Sequence, residues 1–272
     1  MNLQHITFIG GGNMASAIIS GLLQQGHAPQ QITVIDPSEE ARARLTAVCG
    51  VDARAVADSM LIDTSLVVWA IKPQTFAEAA QSVATYVQNT LHLSVAAGIR
   101  SNSIARWLGT DRIVRAMPNT PALVGHGMTG LFARPEVTQP DRQRAADIIA
   151  TTGDFVWLTT EDLLDTVTAL SGSGPAYVFY WMEAMITAGT EMGLSREQAR
   201  QLTQATFDGA IALSGASPDS LQTLRQRVTS KGGTTHAAIS VMENNDLRAV
   251  FIDAMYAARQ RAQELGDAFG SA

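Results

Sequence analysis

The stretch Phe8-Ile9-Gly10-Gly11-Gly12-Asn13-Met14-Ala15 places a G-x-G-x-x-A pattern directly after a short apolar run and at the mouth of a helical segment. Each small residue has a physical reason to be there. Gly10 permits a tight turn, Gly12 lets the backbone approach a pyrophosphate, and Ala15 lets helix and strand pack closely. Asn13 and Met14 supply early helix amides, which face a phosphate along the positive end of the helix dipole. Glycines alone would be a weak signal, but strand, loop and helix in this order predict a dinucleotide site.

Outward from the loop, short β-branched runs alternate with helical stretches as far as about residue 160, the grammar of a parallel sheet with crossover helices. The runs are Ile6 to Ile9, Ile32 to Ile35, Leu66 to Ile71, Leu93 to Ala97, Ile113 to Met117, Met128 to Ala133 and Phe155 to Leu158. Near-continuous apolar character suits strands buried on both faces. Gly26 and Ser38 read as a helix C-terminal cap and an N-cap, the latter followed by acidic Glu39 and Glu40. From Asp162 onward strand patterning stops and helical periodicity takes over. The expected fold is α/β: a Rossmann-type doubly wound sheet over residues 1–161, followed by an all-helical domain over 162–272.

In the second half, Ser195 with Gln198 forms a capping box, and Ser217-Pro218 reads as another helix start. Leu247, Val250, Phe251, Ala254, Met255 and Ala258 keep the rhythm of one buried helix face. The segment Ala176 to Met182 is apolar on nearly every side, which a surface helix of a small domain cannot sustain. We expect a second subunit to cover it, making a homodimer.

The ends of parallel strands form the edge where ligands bind. At the end of the second strand, Asp36 stands where an acidic side chain accepts from the adenosine ribose hydroxyls, which favours NADH. Arg42 and Arg44 lie just beyond, within reach of a 2'-phosphate, although their helical spacing reads as a solvated face. Both NADPH and NADH remain open as cofactor. Ala70, Lys72 and Pro73 end the third run, Val95 and Ala97 the fourth, and Asn119 lies in the rigid turn Met117-Pro118-Asn119-Thr120-Pro121 after the fifth, so all are expected beside the cofactor. Lys72 reads equally well as a strand-end surface lysine.

Composition narrows the partners. A formal charge of -6 without a block of Lys or Arg gives no footprint for nucleic acid or an anionic membrane. The longest apolar segment, Ala176 to Thr190, is interrupted by Glu183 and falls short of the roughly 20 residues a membrane span needs. The lone Cys49 rules out a disulfide framework, and the five histidines show no metal-ligand spacing. With no basic, cleavable leader at Met1, we expect a cytoplasmic protein without a metal.

Thr229-Ser230-Lys231-Gly232-Gly233-Thr234-Thr235 joins two helical stretches, the second expected to begin around His236. Glycines and hydroxyls at a helix start make an anion nest that suits a small carboxylate, though in isolation the loop also reads as an ordinary cap. Ser171, Gly172, Ser173 and Gly174 precede the apolar helix and allow close backbone or ligand approach, or a simple turn.

In this order, the loop at Gly10, Ile71-Lys72-Pro73, Met117-Pro118-Asn119-Thr120-Pro121 and Leu170-Ser171-Gly172-Ser173-Gly174-Pro175-Ala176-Tyr177 resemble the successive motifs of the pyrroline-5-carboxylate reductase family, over essentially the whole chain. The family's late Ser-Pro-Gly-Gly loop appears as Ser230-Lys231-Gly232-Gly233, with Lys231 in the proline position. The resemblance implies reduction of a cyclic imino acid to proline with NADPH or NADH, and a homodimer, with rings of dimers also known in the family. It assigns the substrate carboxylate to Ser230, Gly232, Gly233 and Thr234, and the ring nitrogen to the Thr235 hydroxyl. Two rivals are weighed against it. A β-hydroxy-acid reductase would need a catalytic lysine on a helix of the second domain, whereas its only lysine, Lys231, is in a loop; a non-catalytic nucleotide-binding regulator would have no use for the intact nest.

Overall fold

The computed structural model describes residues 5–270. Eight strands form one sheet: β1 (His5–Ile9), β2 (Ile32–Ile35), β3 (Asp52–Arg54), β4 (Thr64–Trp69), β5 (Leu91–Ser94), β6 (Ile113–Met117), β7 (Gly127–Ala133) and β8 (Gly153–Trp157). Their order is β3-β2-β1-β4-β5-β6-β7-β8, and every pairing is parallel except β6 with β7. The chain leaves β1 to one side for β2 and returns to its other side with β4, so the sheet's switch point lies between β1 and β4.

Helices cover both faces. The helices α1 (Asn13–Gln24) and α2 (Glu39–Cys49) lie on one face, with Ile18, Ile19, Leu22 and Leu45 packed in the same core as Phe8 and Val34. On the other face, α3 (Phe76–Val87) and α4 (Ser101–Leu108) bring Phe76, Val83 and Ile104 against Val67 and Trp69. The first core is completed by Ala145, Ile148 and Ile149 of α5 (Gln139–Ala150). Ser38 caps α2 as its side chain accepts from the Ala41 amide at 3.3 Å, and Gly26 follows α1 at φ +92°.

Several strand limits differ from the sequence expectation by one to three residues. The third and fourth runs stop at Trp69 and Ser94, yet Ala70 N–H still donates to Ile9 O at 2.8 Å and Val95 N–H to Trp69 O at 3.0 Å. A further strand, β3, went unread because Asp52-Ala53-Arg54 is a polar three-residue edge with no apolar run to betray it.

The remaining helices are α6 (Leu163–Val167), followed by a π-helical turn at Thr168–Gly172, then α7 (Gly174–Glu191), α8 (Arg196–Ala216), α9 (Leu221–Arg227), α10 (Thr234–Asn244) and α11 (Leu247–Gly270). The chain packs as two compact units. One runs through Ser173 and regains the chain from Ala258; the other is Gly174–Ala257. The change in patterning at residue 162 thus precedes the packing boundary, because α6 still lies against β6 and β7.

Within the second unit, α7 and α8 pack closely where Gly189 faces Ala199: a Cβ on Gly189 would lie 3.2 Å from that of Ala199. The capping box of Ser195 and Gln198 starts α8 as expected. Ser217-Pro218 does not start a helix. Ser217 Oγ is hydrogen bonded to Asp219 at both its amide and its carboxylate, forming a turn, and Ser220 caps α9 instead through the Thr223 amide at 3.1 Å. The face expected to be buried on α11 is also corrected, because within the single chain Val250 is 60% and Phe251 38% exposed.

Candidate active site

At the switch point, the chain turns from β1 into α1 with Gly10 at φ +97°. A Cβ there would lie 2.5 Å from Ala70 O and 2.6 Å from the Ile71 side chain, so the loop can seat on the end of β4 only with glycine. Gly12 is the N-cap of α1 and offers no side-chain cap, and a Cβ on it would meet nothing within 4 Å. An uncapped helix start facing open space fits a dinucleotide pyrophosphate. Ala15 is fully buried, as close helix-to-sheet packing demands.

Asp36 extends the end of β2. Its carboxylate accepts from the Gly11 amide at 2.6 Å and from the Ser38 amide at 2.8 Å. Arg44 is exposed, as its spacing suggested, and Arg42 is half-buried, but both also serve the turn. Arg42 donates to the Asp36 and Pro37 carbonyls, each at 2.8 Å, and Arg44 to the Gly11 carbonyl at 2.7 Å. Sequence spacing could not reveal this, because the Arg44 partner is 33 residues away in the chain.

Ala70, Lys72, Pro73, Val95, Ala97 and Asn119 all follow the carboxyl ends of β4, β5 and β6, which are parallel to β1, so these positions share its edge. Lys72 is exposed and begins a 3-10 turn at Pro73–Thr75. Asn119 acts as a brace: its amide donates to Ser171 O at 3.1 Å, and its carbonyl accepts from the Met128 amide at 2.9 Å. The turn after β6 is thereby tied to the π-helical turn, whose Gly172 lies beside the Met117 side chain.

Below the edge lies an ionic network that pattern reading missed. Arg115 on β6 pairs with Glu161 at 2.7 Å, and the Glu161 carboxylate also accepts from the Ser101 amide and hydroxyl, each at 2.6 Å. Burial pushes the Glu161 carboxyl up, but the Arg115 charge and the Ser101 bonds outweigh it and hold the group below its ordinary range. Arg100 joins Asp165 at 2.7 Å. The network therefore pins Glu161 and Asp165, on either side of the change in patterning, to the sheet and α4.

In the second unit, Gly233 N–H donates to Ser230 O at 3.0 Å, closing a turn in which Gly232 has φ +76°. Gly232 at the third position with Lys231 at negative φ is a type II turn, which favours proline at the position Lys231 occupies but admits other residues. The departure at Lys231 therefore leaves the turn intact. Gly233 is the N-cap of α10 without a side-chain cap, so the helix begins at Thr234, two residues before the expected start, and Thr234 and Thr235 lie in its first turn. The cofactor residues thus share one edge of the first unit, and Ser230 to Thr235 share one loop and helix start of the second. Of the 19 basic residues only Lys72 and Lys231 are lysines, and each lies in one of these two places.

A family model described as pyrroline-5-carboxylate reductase dimerisation matches residues 161–265, and one described as NADP oxidoreductase, coenzyme F420-dependent, matches residues 5–98. The pyrroline-5-carboxylate reductase of Pseudomonas aeruginosa is 41% identical over 272 residues, covering 99% of this chain and all of the relative. That of Haemophilus influenzae is 42% identical, covering 98% of this chain and again all of the relative. Among solved structures, a pyrroline-5-carboxylate reductase from Coxiella burnetii superposes with a TM-score of 0.89 at 40% identity, covering 97% of this chain and 99% of that one. A Plasmodium falciparum pyrroline carboxylate reductase with NADP bound gives 0.88 at 26% identity, covering 98% and 99%.

Proposed function

The chain belongs to the pyrroline-5-carboxylate reductase family, and on that premise we propose how its residues divide the work of reducing 1-pyrroline-5-carboxylate to L-proline, the last step of proline biosynthesis. Residues 1–161 form the cofactor domain and 162–272 the dimerisation and substrate domain. The observation that carries this reading is that α1 and α10 both begin on a glycine N-cap with no side-chain cap, Gly12 and Gly233. One such start suits the pyrophosphate of a nicotinamide dinucleotide, the other a small carboxylate.

When bound, NADPH or NADH supplies the hydride to the ring carbon of the imine. Gly10, Gly12, Asn13, Met14 and Ala15 form its phosphate cradle, while Ala70, Lys72, Pro73, Val95, Ala97 and Asn119 line the edge beside it. Gly232, Gly233 and Thr234, helped by Ser230, hold the substrate carboxylate. Thr235 directs its hydroxyl at the ring nitrogen. A threonine hydroxyl is too weak an acid to protonate an imine unaided, so Thr235 orients the iminium and relays a solvent proton.

A cytoplasmic location fits a chain whose single cysteine, Cys49, is buried and free. Among the described residues, no helix is long and apolar enough to cross a membrane. The test is consumption of NADH or NADPH by purified protein given pyrroline-5-carboxylate, with a β-keto acid as control. Thr235→Ala is expected to lower turnover by about ten- to a thousandfold while nucleotide affinity stays nearly unchanged. Unchanged turnover would remove Thr235 from the mechanism.

A further inference from the structure

We infer that the last turns of α11 are a positioning element of the cofactor site. Gly266 and Phe269, packed on Arg100 and Gly98, hold the loop between β5 and α4 in the form that borders the nicotinamide. The inference rests on the dinucleotide reading of the sheet edge and adds the element that shapes its nicotinamide half.

A dinucleotide lies across the switch point of a doubly wound sheet, one half on each side. The end of β2 takes the adenosine ribose, so the nicotinamide lies toward the ends of β4 and β5. Residues 95–100, which leave β5, belong to neither strand nor helix. Within them Ala97 is exposed at the edge, whereas Ile99 is fully buried in the core with Phe76 and Ile104. A segment without a ladder of its own takes its shape from what packs against it.

What packs against it is α11, whose residues from Ala258 onward belong to the first unit. A Cβ on Gly98 would lie 3.3 Å from Phe269 Cδ2 and 3.6 Å from Leu265 Cβ, so the helix meets the loop backbone one residue from Ala97. Phe269 is half-buried and joins the core that contains Ile99. Nearly one turn earlier, Gly266 is buried beside Arg100. A Cβ on it would lie 3.0 Å from Arg100 Nε, 3.2 Å from Nη2 and 3.3 Å from Cζ, so the guanidinium lies flat on the helix, closer than a methyl group would allow. Arg100 has little freedom to give way, because its Nη2 donates to the buried Asp165 carboxylate at 2.7 Å. The helix end thus grips the loop at two points, Gly98 and Arg100.

The experiment is calorimetric titration of the full-length protein with NADH or NADPH, whichever it binds tighter, and with the matching ADP-ribose or 2'-phospho-ADP-ribose, which lacks the nicotinamide. Steady-state turnover is measured alongside. Phe269→Ala is expected to weaken the whole nucleotide by about fivefold or more and to lower turnover by about tenfold. Affinity for the truncated nucleotide should change by less than about twofold, since its contacts lie on the other side of the switch point. Phe269→Leu, which keeps most of the contact, should recover most of both losses. If Phe269→Ala does not fold, Gly266→Ala, which presses on Arg100 instead, should give the same selective pattern. Equal weakening of both ligands would mark the helix end as core packing alone and overturn the inference, as would unchanged affinity and turnover. Failure of the unaltered protein to bind any of these ligands would instead refute the dinucleotide reading on which the inference stands.

Discussion

Gly10 carries two constraints at once, a positive φ and contact with the end of β4. At φ +97° an L side chain is strained, and its Cβ would lie 2.5 Å from Ala70 O, a backbone atom of a residue tied to β1 through its amide. Gly10→Ala is expected to cost about 2 to 4 kcal/mol of stability and to weaken nucleotide binding by about tenfold or more, read by denaturant titration and calorimetry. Gly12 is different, because nothing within 4 Å would meet its Cβ, so its value is to leave space for a ligand. The motif assigns Gly10 to a tight turn and Gly12 to backbone approach, and the surroundings of each agree: one glycine is required by the fold and the other leaves room. Asn119 is less legible. The sequence places it at the ligand edge, while its side chain is spent bracing Ser171 and Met128 across turns distant in sequence.

At the scale of elements, β5 carries His92 into the core between α3 and β4. Trp69 Nε1–H donates to His92 Nδ1 at 3.1 Å, and His92 Nε2 donates to Val87 O at 3.2 Å, an arrangement that requires the neutral imidazole. Burial lowers its pKa from 6.5 to about 4, against a raising contribution from the Val87 carbonyl. The unfolded chain therefore binds a proton that the folded one refuses, and stability present above pH 6.5 is lost as pH falls toward about 4. The full loss is about 3 kcal/mol. Denaturant titrations at about pH 7.5 and about pH 5 and fixed protein concentration should show about 2 kcal/mol of it, and His92→Gln should flatten the difference. An equal pH dependence in both proteins would count against this account. Most of these elements were legible in the sequence because a strand buried on both faces must be apolar throughout, and helix caps have few chemical solutions. The edge strand β3 was not, since it buries too little to need such a pattern. The start of α9 was not either, because Ser217 and Ser220 are equally plausible caps until Asp219 engages the first.

For the whole molecule, the second unit contrasts with the first. On α7, Phe179 is 58% and Tyr180 70% exposed, and Ile211 on α8 and Tyr256 on α11 are 65% and 63% exposed. Such a surface is apolar beyond what a monomer keeps in water. The all-round apolarity of α7 announced that a cover was needed, and the same logic predicts that the face of α11, exposed in the single chain, is covered in the dimer. Sedimentation should give twice the 28.9 kDa chain mass, and Phe179→Asp should shift the protein toward monomer and lower its melting temperature by several degrees. A wild-type chain that sediments alone at micromolar concentration would refute the dimer. Arginine's near-monopoly among the basic residues also matters at the bench. Aldehyde fixatives, succinimide esters and amine-coupled beads would find, besides the α-amine, only Lys72 and Lys231 to react with. Apart from the α-amine, immobilisation through amines would therefore attach the protein only by the two loops assigned to cofactor and substrate, whereas its 25 acidic side chains offer handles spread along the whole chain.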